Sequence, residues 1–208
     1  LTIEEVRRLR KTVATAVGRN PELRLALLDL SMPALGRMPE EDRPRFMDSI
    51  RAMQEADGRL DRFEWLLGRI LRKHLMGGSS KPAGASVRPN RSIALLEDSV
   101  RLVLAMLAWS GARNETEALH AFREGARRVR IGDVELPDRT DCSVMALDRA
   151  LDRLRRLRWR DRAVLLDAAV ETVCADGHGT LAEIELLRAL AAAIECPMPP
   201  VLPGRLSS

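Results

Sequence analysis

The chain has no tyrosine, and three phenylalanines and three tryptophans bring aromatics to only 3% of its 208 residues. Strands favour Val, Ile, Thr and aromatics, so this scarcity, with Leu, Ala and Arg predominating, argues against a sheet and for helices packed through Leu and Ala. Cysteine is equally sparse. Cys142, Cys174 and Cys196 are odd in number, widely spaced and without a C-x-x-C, so neither a disulfide framework nor a zinc knuckle is indicated and a reducing compartment is the simpler reading. His74, His120 and His178 are scattered, and H-E-x-x-H, G-x-S-x-G and P-loop patterns are missing. The longest apolar run, Leu102 to Trp109, falls far short of the roughly 20 residues that span a bilayer, and there is no signal-peptide pattern.

What is present is a 46% apolar composition, enough for a proper core, and 34 basic against 30 acidic residues spread along helical runs. Basic residues paired in this way do not make the clustered patch that nucleic acid would require. We expect an all-α chain of about eight to nine helices. It begins at Leu1, as a fragment of a longer protein would.

The most informative feature is a repetition. Ala56-Asp57-Gly58 returns as Ala175-Asp176-Gly177, an offset of 119 residues that also carries Leu35 onto Leu154, Asp42 onto Asp161, Arg43 onto Arg162, Glu64 onto Glu183, Leu67 onto Leu186 and Leu71 onto Leu190. So many coincidences at one offset indicate duplication. In each copy glycine closes one helix in a left-handed cap, and a capping box opens the next: Asp61 with Glu64, Thr180 with Glu183. The expected organisation is a first helical repeat over residues 1–76, a Gly/Ser/Pro linker over 77–91, a second repeat over 92–195 and a Pro-rich tail over 196–208.

Local signals divide the repeats further. Thr2-Ile3-Glu4-Glu5 opens a helix running to Gly18, and Pro33 should split the apolar run after Leu23 into two short helices. Ser92 and Asn114 are helix caps, residues 131–142 a surface loop, and Val144–Leu157, Asp161–Cys174 and Leu181–Ile194 the last helices. The tail after Cys196 reads as an extended strap.

Asp57, Asp61 and Glu64 in the first copy, and Asp176 and Glu183 in the second, place carboxylates around tight turns where a divalent cation would find oxygen ligands. The spacing departs from a twelve-residue EF-hand loop, and helix capping accounts for the same residues without metal. His74 and His120 read as structural and His178 as solvent-facing; a nucleophilic pairing of Cys174 with His178 is the weakest alternative. The run from Arg149 to Arg162, threaded by Leu147, Leu151 and Leu154, offers charge to acidic lipid headgroups or to an acidic partner, but with Asp148, Asp152 and Asp161 interspersed it reads first as a solvated helix face.

The pattern Ala-Asp-Gly, then Asp or Thr, then Glu three residues later and Leu-Leu, resembles the TerB-like family of helical modules named from tellurite-resistance proteins. That resemblance implies a tandem TerB-like fold and a metal- or ligand-binding role for Asp57, Asp61, Glu64, Asp176 and Glu183. The stretches 27–35, 55–64, 185–189 and 196–200 are also similar to the region that follows the catalytic and membrane-spanning parts of bacterial membrane zinc metallopeptidases related to CAAX prenyl endopeptidases. This implies a non-catalytic accessory module on the cytoplasmic side of the bacterial inner membrane, with zinc held by the parent's catalytic domain and no cofactor of its own. Its partner would be the parent protease domain or another protein, with the membrane reached through the parent alone. Gly179 departs from the family pattern, standing where the first copy has Leu60 to pin the turn.

Overall fold

The computed structural model describes residues 8, 20–21, 23–56, 62–76, 90–132, 135–198 and 204–205, with backbone only for 53–56, 62–63 and 204–205. Among these residues the chain is mostly helical. It comprises α1 (Leu23–Gly36), α2 (Arg43–Ala56), α3 (Arg62–Met76), a 3-10 turn (Ile93–Leu96), α4 (Glu97–Gly111), α5 (Glu115–Arg128), α6 (Val144–Leu154), α7 (Trp159–Cys174) and α8 (Leu181–Ile194). The only strands described are β1 (His178–Gly179) and β2 (Gly204–Arg205), an antiparallel pair that ties the tail to the α7–α8 turn. Asp57, Asp61, all but Arg8 of the helix expected over 2–18, and most of the linker lie outside the described residues.

α4 organises the core because it is apolar nearly all round. Val100 and every residue from Val103 to Ala108 are buried, and the helix packs on α5, α6, α7 and α8. The tightest crossing is α5 on α7, where Gly125 lets the two backbones approach. α3 packs on α8, so buried Leu66, Leu71 and Leu75 join the same hydrophobic cluster as Leu104, Leu151 and Leu190.

Three local expectations differ from the structure. Pro33 does not split the chain: α1 runs unbroken to Gly36, since the ring lies on its exposed side three residues from the end, where losing one hydrogen bond is tolerated. The sixth helix stops at Leu154 and not Leu157, because the Arg156 carbonyl accepts the Asn90 and Arg91 N–H groups while Arg158 N–H donates to Arg91 O, drawing this stretch into a parallel bridge. Ser92 precedes a 3-10 turn and makes no side-chain cap, so α4 begins only at Glu97. Asn114 does cap α5, accepting from Glu117 N–H at 2.9 Å.

The offset of 119 residues reappears in three dimensions. It carries the bounds of α1, α2 and α3 to within three residues of those of α6, α7 and α8. The packing partners correspond as well: α1 on α3 and α2 on α3, α6 on α8 and α7 on α8. Individual bonds repeat too. Arg43 Nε donates to Met38 O at 3.2 Å, and its counterpart Arg162 donates to Leu157 O, the counterpart carbonyl, at 3.0 Å. The same guanidinium then reaches the end of the second helix of each pair, through Leu75 O in one copy and the Glu195 carboxylate in the other.

Contacts between the copies are reciprocal. Arg69 of α3 bonds to Asp148 of α6, and Arg188 of α8, its counterpart, bonds at 2.5 Å to Asp29 of α1, the counterpart of Asp148. Lys73 donates to the carbonyl of Ala192, the residue 119 positions on, as expected for a residue beside a local two-fold axis. Residue i meeting j′ while j meets i′ is the pattern of an isologous interface, here between two parts of one chain.

Candidate functional site

The α7–α8 turn is the acidic turn that can be built from its atoms. After Cys174, Ala175 keeps right-handed helical angles and Gly177 takes φ +75°, the left-handed conformation glycine adopts without strain. Asp176 Oδ1 accepts the His178 N–H at 2.8 Å, closing an Asx turn, and the His178 ring Nδ1 lies 3.2 Å from the Asp176 carbonyl. His178 is exposed, as its sequence context suggested. Gly179, where the resemblance wanted an apolar anchor, is buried and its backbone pairs with Gly204, so the tail contributes what a side chain does not.

The capping box predicted for α8 is complete. Glu183 N–H donates to Thr180 Oγ1 at 3.3 Å, and Glu183 Oε2 accepts from Thr180 N–H at 2.8 Å and from its hydroxyl at 2.7 Å. The sequence did not reveal that this carboxylate is buried, at 4% exposure, against the end of α4. A Cβ on Gly111 would stand 2.0 Å from Glu183 Oε1, so Gly111 is the residue that makes room for it. The signal was a glycine at a helix end, which reads first as a cap.

Burial raises the Glu183 pKa above its ordinary 4.5, against the two Thr180 hydrogen bonds that favour the anion; the Asp176 charge raises it further. A raised folded-state value means that, above pH 4.5, the unfolded chain releases this proton before the native one, so the group's contribution to stability falls as pH rises from there to the folded pKa. Glu183→Gln keeps an acceptor for the Thr180 N–H but removes the titration. We expect it to flatten the melting temperature's decline over that window and to be neutral or stabilising at pH 7, as read from melts at stepped pH.

Glu183 and Asp176 border a small cavity of about 60 Å³ whose rim also includes Glu117 and His120 of α5. Glu117 is already engaged, its carboxylate accepting from Arg113 N–H at 2.9 Å and from Asn114 Nδ2 at 3.1 Å. Among the described residues no group of three or more His, Cys, Asp or Glu is arranged to hold a metal ion. In the first copy only Glu64 is described; it is half-buried at the start of α3, while Asp57 and Asp61 lie outside the described residues.

Cys174 lies beside the turn, but burial and then the charges of Glu171, Glu183 and Asp176 push its thiol pKa up, the opposite of what a thiolate nucleophile needs. Cys142 is driven the same way, to about 11, by burial and by Asp141 and Asp138. His74 Nε2 lies 3.2 Å from Met32 O, joining α3 to α1. No helix among the described residues is long and apolar enough to cross a membrane. Comparison of the chain with protein-family models, with curated proteins and with solved structures finds no match.

Proposed function

We propose that this chain is a non-catalytic helical accessory module, a tandem of TerB-like units that serves regulation, partner binding or substrate presentation. In this reading it is the soluble C-terminal part of a membrane-anchored zinc metallopeptidase, on the cytoplasmic side of a bacterial inner membrane, and the zinc belongs to the parent's catalytic domain. The observation that supports it most is the use made of the acidic residues. Asp176 closes a turn through the His178 N–H and Glu183 locks a cap through Thr180, so both carboxylates act as structural joints. The repeat of the Arg43 and Arg162 bonds supports duplication of such a joint.

A second reading, a metal- or ligand-binding module acting through the acidic turns, draws on the carboxylates of Glu117, Asp176 and Glu183 around one cavity. One pair of measurements separates the readings. The purified chain should leave casein and a peptide library intact with or without chelator; chelator-sensitive hydrolysis would refute a non-catalytic role. Calorimetric titration with Ca²⁺, Mg²⁺, Mn²⁺ and Zn²⁺ should show no binding heat at millimolar metal. Heat that disappears in Asp57→Asn or Asp176→Asn would establish the second reading.

A further inference from the structure

We propose that the turn joining α6 to α7, residues Arg155 to Arg160, is a docking surface for an anionic lipid bilayer. This goes beyond the accessory-module reading and does not depend on it.

The turn carries four arginines, Arg155, Arg156, Arg158 and Arg160, all exposed, and none forms an ion pair among the described residues. Of the carboxylates on the adjoining helices, Asp152 pairs with Arg69 and Glu195 with Arg162 and Lys73, while Asp161, next to Arg160, pairs with none of the four and has one oxygen buried without a hydrogen-bond partner. At the centre stands Trp159, 72% exposed, with the Arg160 guanidinium 5.2 Å from the ring centroid. A tryptophan this exposed contributes nothing to the core, whereas Trp65 is buried and Trp109 donates its N–H to Pro137 O.

The first copy supplies an internal control. The turn at the equivalent position, 36–41, reads Gly-Arg-Met-Pro-Glu-Glu, so Trp159 corresponds to Glu40 and Arg160 to Glu41. Both turns nevertheless make the same guanidinium-to-carbonyl bond, Arg43 to Met38 and Arg162 to Leu157. The fold therefore does not require tryptophan or the extra arginines here, and one pole of the molecule is basic and aromatic where its counterpart is acidic.

Charge complementarity selects an anionic partner, and the lone indole selects a bilayer. Tryptophan rings settle at the headgroup level, and arginines near an acidic leaflet add attraction that salt screens. Single-stranded nucleic acid would call for a series of stacking rings along a groove, and this turn has one.

The test is co-sedimentation of the chain with vesicles of phosphatidylcholine alone and of phosphatidylcholine with about a quarter phosphatidylglycerol, followed also by tryptophan emission. Binding should be confined to the anionic vesicles, fall at high salt and shift the emission to the blue. Trp159→Glu with Arg160→Glu, which copies residues the equivalent turn already carries, should melt as the wild type does and bind at least ~10-fold more weakly. If that variant melts early, Arg156→Gln with Arg158→Gln serves, with the same direction expected. Failure of the wild type to bind anionic vesicles, equal binding by wild type and a folded variant, or capture of a polyglutamate peptide in preference to the vesicles would each overturn the proposal.

Discussion

Gly125→Val should lower the melting temperature by about 10 °C, a loss of about 3 kcal/mol at the upper end of overpacking costs. Gly125 lies where α5 crosses α7. A Cβ there would meet Thr172 Oγ1 at 2.0 Å and the Ala168 carbonyl at 2.8 Å, and Leu104 Cδ2 at 3.3 Å. The first of these atoms cannot swing aside freely, since the Thr172 hydroxyl donates to Ala168 O at 2.9 Å, and the second is backbone. The helices must separate, and α4, which packs on both, must follow. Removing a helical glycine returns at most about 1 kcal/mol of propensity, too little to compensate. Gly132→Ala is the matched control: nothing lies within 4 Å of a Cβ there, and its melt should be unchanged within about 1 °C.

The second large effect concerns the contact between the copies. Arg69 has only 15% of its side chain exposed; it bonds to Asp148, bonds at 2.8 Å to Asp152 and lies 5.9 Å from the Trp65 ring centroid. Trp65 Nε1 also donates to Asp148 Oδ1 at 3.2 Å, so one carboxylate is shared by two donors. Arg69→Glu would place a third carboxylate among them. Because Asp148 and Asp152 remain partly solvated, we discount the full cost of a broken buried pair and expect a loss of about 2 kcal/mol by chemical denaturation. Adding Asp148→Arg should recover part of that loss, whereas a purely steric effect at Arg69 would not be rescued.

These residues also mark how far the sequence could be read. The Thr180 box and the bounds of α8 were legible because a cap and its helix are local, set within a few residues. So was the class of fold, from Leu and Ala in helical spacing without strand-forming aromatics. Pro33 misled because proline is costly inside a helix in general, while its cost near an exposed helix end depends on surroundings the sequence does not state. Leu157 was assigned to a helix because nothing nearby announces Arg91, 66 residues earlier, as a bridge partner. Asp176 was legible as a turn residue and Glu183 as a cap, but the burial of Glu183 depends on Gly111, which is brought to it only by packing.

The offset of 119 residues was visible in one dimension, and Arg43 with Arg162 was among its coincidences. Their identical carbonyl bonds needed coordinates, as did the crossed pairs, because a reciprocal contact joins positions that no single alignment of the copies sets side by side. Divergence carries information as well. Where Arg155 to Arg160 depart from residues 36–41, an equivalent turn shows what the fold can do without.

Two double-mutant cycles in the same protein test the central claim, that this chain is a pair of related helical units held by reciprocal contacts. One takes Arg69→Ala with Asp148→Ala, the other Arg188→Ala with Asp29→Ala. The account predicts favourable coupling in both, about 1 kcal/mol each and somewhat larger at Arg69, whose side chain is less exposed, with no coupling between Arg69 and Asp29. Coupling indistinguishable from zero in both cycles would contradict it.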